Sequence, residues 1–91
     1  MTIHESKCVA IETRYIVPTN TRGSRYKAFT ESRRSVTIHA ADNLSSQENH
    51  RAAARALCAK MGWDGDLVEG GSSRGYVYVF LPRGMRMQGA A

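Results

Sequence analysis

Cysteine and proline are scarce in this 91-residue chain, two of each, and long apolar runs are missing altogether. Cys8 and Cys58 stand far apart, with no neighbouring Cys or His at zinc-knuckle spacing, so neither a disulfide framework nor a structural zinc is expected. Unframed thiols suit a reducing compartment, and the expected location is the cytoplasm. The N-terminus has no charged start followed by an apolar core, and no stretch approaches the length of a membrane span; signal peptide and transmembrane helix are therefore not expected. The sequon Asn43-Leu44-Ser45 has no secretory context. Gly70, Gly71 and Gly75 are followed by no P-loop lysine and open no helix, which excludes the phosphate-cradling and dinucleotide fingerprints. Asp64-Gly65-Asp66 lacks the further acids of a calcium loop and reads as turn chemistry, so no metal or other cofactor is expected.

What is present suffices for one small core, because two would each be too small to offset chain entropy. Residues 1–82 are expected to form a single α+β domain, and residues 83–91, RGMRMQGAA, a flexible C-terminal tail with little to bury. CVAIETRYIV is a β-branched and aromatic run that places Val9, Ile11, Thr13, Tyr15 and Val17 on one face, and Pro18 ends it. After a polar turn, Arg25 to Thr30 resumes a strand whose Tyr26 and Ala28 face opposite to Arg25, Lys27 and Phe29. ESRRS is a second turn, and SVTIHA a third short strand with Val36, Ile38 and Ala40 inward and His39 outward.

Ser45-Ser46-Gln47-Glu48 has the form of a capping box, and the apolar spacing of Ala53, Ala54, Leu57, Cys58 and Met61 predicts a helix over 46–61. Gly62 suits a left-handed C-terminal cap from which Trp63 folds back. Asp66 to Glu69 is a short strand candidate, GGSSRG a loose turn, and YVYVFL an interior strand that is apolar on both faces. The expected architecture is a four- or five-stranded, mainly antiparallel sheet with one helix on one face, in the order β-β-β-α-β-β. Its predicted core comprises Val9, Ile11, Val36, Ile38, Leu57, Met61, Trp63, Val77 and Val79.

Charge is unevenly spread. Thirteen Lys and Arg against eight Asp and Glu give a net charge of +5, and the segment from Arg14 to Arg34 alone carries six cations against Glu31. Such a surface suits nucleic acid or an acidic protein patch, since phosphate binding grows with the number of neutralised charges. The candidate binding residues are Arg22, Arg25, Lys27, Arg33 and Arg34, with Tyr26 or Phe29 available to stack unpaired bases. The competing explanation is that the aromatics fill the core and the cations guard an exposed strand edge. Arg51 and Arg55 offer a second anion contact from the helix, or a solvated face in which Gln47 and Glu48 pair with Arg51. Neither His39 nor His50 has a Cys, Ser or Asp at a catalytic spacing, so a small hydrolase stands last among the functions and no enzyme is expected.

Taken together, TNTRG at 19–23, SSQENH at 45–50, KMGW at 60–63 and YVYVF at 76–80 give the chain, from Val9 to Leu81, a general resemblance to small phage and mobile-element accessory proteins. In size and layout it is similar to some anti-CRISPR proteins, and that resemblance implies a non-catalytic inhibitor that covers a surface of a host defence nucleoprotein complex. It carries over no site residues. The alternative drawn from the residues themselves is direct nucleic-acid binding. The oligomeric state stays open.

Overall fold

The computed structural model of the protein describes residues 10–81. Five strands, β1 (Ala10–Ile16), β2 (Arg25–Phe29), β3 (Ser35–His39), β4 (Leu67–Ser72) and β5 (Gly75–Phe80), form one sheet in the order β3-β2-β1-β5-β4. Every neighbouring pair is antiparallel. One helix, α1 (Ser46–Met61), packs on one face, so the expected β-β-β-α-β-β layout is the one observed.

The helix boundaries follow local chemistry. Ser45 Oγ accepts from the Glu48 N–H and the Glu48 carboxylate accepts from the Ser45 N–H, a reciprocal capping box. At the other end Gly62 adopts φ 71°, and the Trp63 N–H donates to the Cys58 carbonyl at 2.9 Å, closing the helix as a Schellman motif. Buried Asn49 binds the incoming chain: its Nδ2 donates to the carbonyls of Ala41, Leu44 and Ser45, and its Oδ1 accepts from the Ala41 N–H.

The core is small and sits between α1 and β1, β2 and β5. Ile11, Tyr26, Ala28, Ala53, Ala54, Leu57 and Tyr78 are buried, with Val36, Ile38, Met61 and Trp63 packed around them. The alanines let the helix axis lie close over β2. Two expected core residues are elsewhere: Val77 and Val79 face away from the helix, and Tyr76, Tyr78 and Phe80 turn inward in their place. Both parities of YVYVF are apolar, and only the tyrosine parity puts rings into the space beyond the helix. Val9, Cys8 and the proposed tail 83–91 lie outside the described residues. The fourth strand also runs through Gly70, Gly71 and Ser72 rather than stopping at Glu69, because a two-residue turn at Ser73-Arg74 keeps the ladder with β5 in register.

His50 occupies the centre of the fold. It is 4% exposed, its ring meets Tyr26 and Tyr76 at centroid distances of 4.8 Å each, and Nδ1 lies 2.8 Å from Thr13 Oγ1. Thr13 Oγ1 also lies 3.4 Å from the Tyr76 carbonyl, so this one hydroxyl links β1 to both α1 and β5. Next to this pair, a Cβ on Gly75 would overlap the Thr13 carbonyl oxygen, so the β5 backbone can approach β1 here only as glycine.

Burial lowers the His50 pKa, and the Glu69 carboxylate only partly opposes it. The unfolded chain therefore takes up this proton first, at about pH 6.5, and stability that is complete above that value is lost as pH falls below it. The melting temperature of the protein should fall between pH 7 and pH 5. A His50→Gln variant, less stable at pH 7, should lose less over the same interval; an equal loss would remove His50 from the account.

A basic sheet face as the candidate binding site

One helix covers one face, and no other described residue covers the opposite face of the sheet. Alternation places Glu12, Arg14 and Ile16 of β1, Arg25, Lys27 and Phe29 of β2, and Thr37 and His39 of β3 on that bare face. Arg14 and Lys27 stand directly opposite each other in register. Both lean onto the same ring: the Arg14 guanidinium lies 5.0 Å and the Lys27 ammonium 5.6 Å from the Phe29 centroid. Arg25, half-buried, follows on the same strand opposite His39 and Ile16. Its Nε is enclosed and finds no hydrogen-bond partner among the described residues.

No carboxylate among the described residues lies within salt-bridge distance of Arg14, Arg25 or Lys27; the ion pair found there is Arg51–Glu69, on the other side of the sheet. The edge-protection explanation fails for the open-face cations, since β1 is the central strand and β2 an interior one. Like charges directly opposite on a sheet cost stability, a cost that an anion bound between them would relieve.

The seven expected contact residues divide. Arg25, Lys27 and Phe29 come together on the open face. Tyr26 does not belong with them: it is 5% exposed, packed against His50 and α1, and unavailable for stacking. Arg34 turns to the helix side, where its guanidinium meets the Met61 sulfur at 3.9 Å. The reason is alternation: Arg34 has the parity of inward Val36 and Ile38 and pairs with Thr30 across a turn in which Arg33 takes the left-handed conformation at φ 66°. Arg33 and Arg22 are exposed in the turns, Arg22 held by a main-chain loop in which the Thr19 N–H donates to the Arg22 carbonyl at 2.7 Å. Arg14, outside the expected set, belongs at the centre; its opposite parity to Ile11 and Thr13 was the available signal.

A second concavity lies between α1 and β4–β5, where the helix does not reach. This groove of about 610 Å³ is lined by Cys58, Trp63, Leu67, Tyr78 and Phe80, among others. Its polar end is internally satisfied: Glu69 accepts from Gln47 at 2.9 Å, from Arg51 Nε and NH2 at 2.9 Å each, and from the Tyr78 hydroxyl at 2.7 Å. The Arg51 guanidinium, with Tyr78 and Gln47, pushes the Glu69 carboxyl down to about 2 against a burial effect of opposite sign. Burial and the facing Glu69 push the Tyr78 hydroxyl up. Arg51 is thus paired across the groove with Glu69, rather than with Gln47 or Glu48 on its own helix as the sequence suggests.

Among the described residues no group of three or more His, Cys, Asp or Glu is placed to hold a metal ion, and no helix is long and apolar enough to cross a membrane. Comparison with protein-family models, with curated proteins and with solved structures finds no match.

The like-charged pair makes stability and binding oppose each other at one residue. Lys27→Glu places an acid opposite Arg14 and should raise unfolding stability by about 0.2–1 kcal/mol in urea titrations. The same variant should lose affinity for polyanions. Lower stability would mean that the Lys27–Phe29 contact outweighs the repulsion.

Proposed function

We propose that this protein acts by binding, without catalysis, and that its bare sheet face takes up nucleic acid. The observation that carries the reading is the Arg14–Lys27 pair over Phe29, with no ion-pair partner among the described residues and Arg25 beside it, on interior strands where fold protection does not require cations. The chemistry favours a single strand. A sheet face presents neither helix nor ribbon to a major groove, whereas a guanidinium beside an aromatic ring offers bases a stacking partner and phosphates a charge.

Support for binding over catalysis comes from the histidines. Thr13 and His50 form a hydroxyl–imidazole pair at 2.8 Å, the elements of a nucleophile and its base, but at 1% and 4% exposure no substrate reaches them. His39 is exposed on the open face opposite Arg25 and has no hydrogen-bond partner among the described residues that would activate it.

A second reading uses the same face against a protein. Val68, Val77 and Val79 form an apolar half beside the cations, with Val79 36% exposed. That pairing of an apolar with a basic half suits an acidic protein surface, as an inhibitor of a host defence nucleoprotein complex would require. Salt separates the two. If three phosphates are neutralised, log Kobs for a single-stranded oligonucleotide should fall against log salt with a slope of about −2. Alanine at Arg14, Arg25 and Lys27 together should flatten that slope without unfolding the chain. Unchanged affinity in the triple variant would remove the face as the site. Weak, salt-insensitive binding by the parent protein would favour the protein partner.

A further inference from the structure

Among the described residues the sheet has two unpaired edges, and they differ. The Leu81 N–H donates to the Asp66 carbonyl at 2.8 Å and Ser72 pairs with Gly75, so the even residues of β4 turn their main-chain groups toward β5. Leu67, Glu69 and Gly71 therefore turn theirs outward, away from every described strand. On β3 the corresponding outward residues are Ser35, Thr37 and His39, and there Lys60 donates to the Ser35 carbonyl at 2.9 Å, with Arg33 and Arg34 just beyond. A lysine across the edge and cations at its end are the devices that keep strand edges from pairing. β4 has none of them. Its sequence, LVEGGS, holds no Lys, Pro or Arg, and its one charged side chain, Glu69, is drawn over the groove by Arg51, Gln47 and Tyr78.

We propose that β4 pairs antiparallel with β4 of a second copy of this chain, about a two-fold axis at Gly70, to form one continuous ten-stranded sheet. Charge order along the chain selects a second copy as the occupant. Asp64 and Asp66 precede the strand and Arg74 follows it; all three are exposed, and none is in an ion pair among the described residues. Antiparallel self-pairing brings the basic end of each strand to the acidic end of the other, twice, whereas parallel pairing would join like charges.

The register is sterically open. Glu69 faces Gly71 of the second copy on the groove side, Val68 faces Ser72 on the open side, and Gly70 meets its own counterpart. A side chain built at Gly71 meets nothing within 4 Å, so the edge has free space around it. Self-repulsion of a +5 chain is small in this arrangement. The two β1 strands, which carry Arg14, are five strand spacings apart, about 24 Å and well beyond the Debye length of about 8 Å at physiological salt. The axis is normal to the sheet, so both basic faces point the same way, and a dimer presents them side by side.

Sedimentation equilibrium on the full chain tests this. The parent protein should show a mass of twice 10.1 kDa. Gly71→Pro removes an outward N–H that no described strand uses, and should give a folded monomer. Asp66→Arg and Arg74→Asp should each weaken the dimer about tenfold by facing like charges. Mixed in equal amounts, these two should recover the parent's association, since every facing pair is again complementary. A parent protein at monomer mass up to roughly 1 mM would overturn the proposal. So would a dimer that Gly71→Pro leaves intact while circular dichroism shows that variant folded, or failure of the mixture to recover. If Gly71→Pro does not fold, the charge variants decide.

Discussion

A single helix about 10–12 Å wide cannot cover a five-stranded sheet about 19 Å across, and most features of this molecule follow from that mismatch. The helix settles over β2, β1 and β3, where Ala28, Ala53 and Ala54 allow close approach, and among the described residues one whole face and one flank stay uncovered. The uncovered face carries the cations. On the flank, Tyr78, Phe80 and Trp63 supply apolar surface, and the Gln47, Arg51 and Tyr78 bonds to Glu69 span the gap that helix packing leaves.

So small a core depends on polar groups being satisfied within it. Thr13, Asn49 and His50 are all buried, and each has a partner that belongs to another element or to the connection before the helix. Among the described residues nothing comparable satisfies the enclosed Arg25 Nε or separates Arg14 from Lys27. Local rules are obeyed on the helix side and broken on the open side, which is where function is expected to override stability. The left-handed Arg33, in a position where glycine costs less, lies in the turn between the strands that carry this face.

Much of the fold was legible in the sequence because its signals are local. The capping box at Ser45 and Glu48, the glycine stop at Gly62 and the alternation around Tyr26 and Lys27 each depend on residues a few positions apart. What was not legible depends on distance. YVYVF is apolar in both parities, so its inward face is decided by how far the helix reaches. Arg34, by contrast, shares the parity of Val36 and Ile38, and its place on the helix side was readable from that alternation. The Arg51–Glu69 pair joins residues from separate elements, and no local pattern announces it. Arg14 was readable by parity alone, yet its meaning needs the register that sets it against Lys27.

The central proposal is that the basic face, and not the groove, is where this protein would take up nucleic acid. Amide chemical-shift mapping on the labelled full chain, titrated with a single-stranded oligonucleotide in about 50 mM salt, tests it most directly. The account predicts that Arg14, Lys27, Phe29 and Thr37 move together while Trp63, Leu67 and Phe80 stay in place. Shifts confined to the groove residues, or none on the basic face, would contradict it.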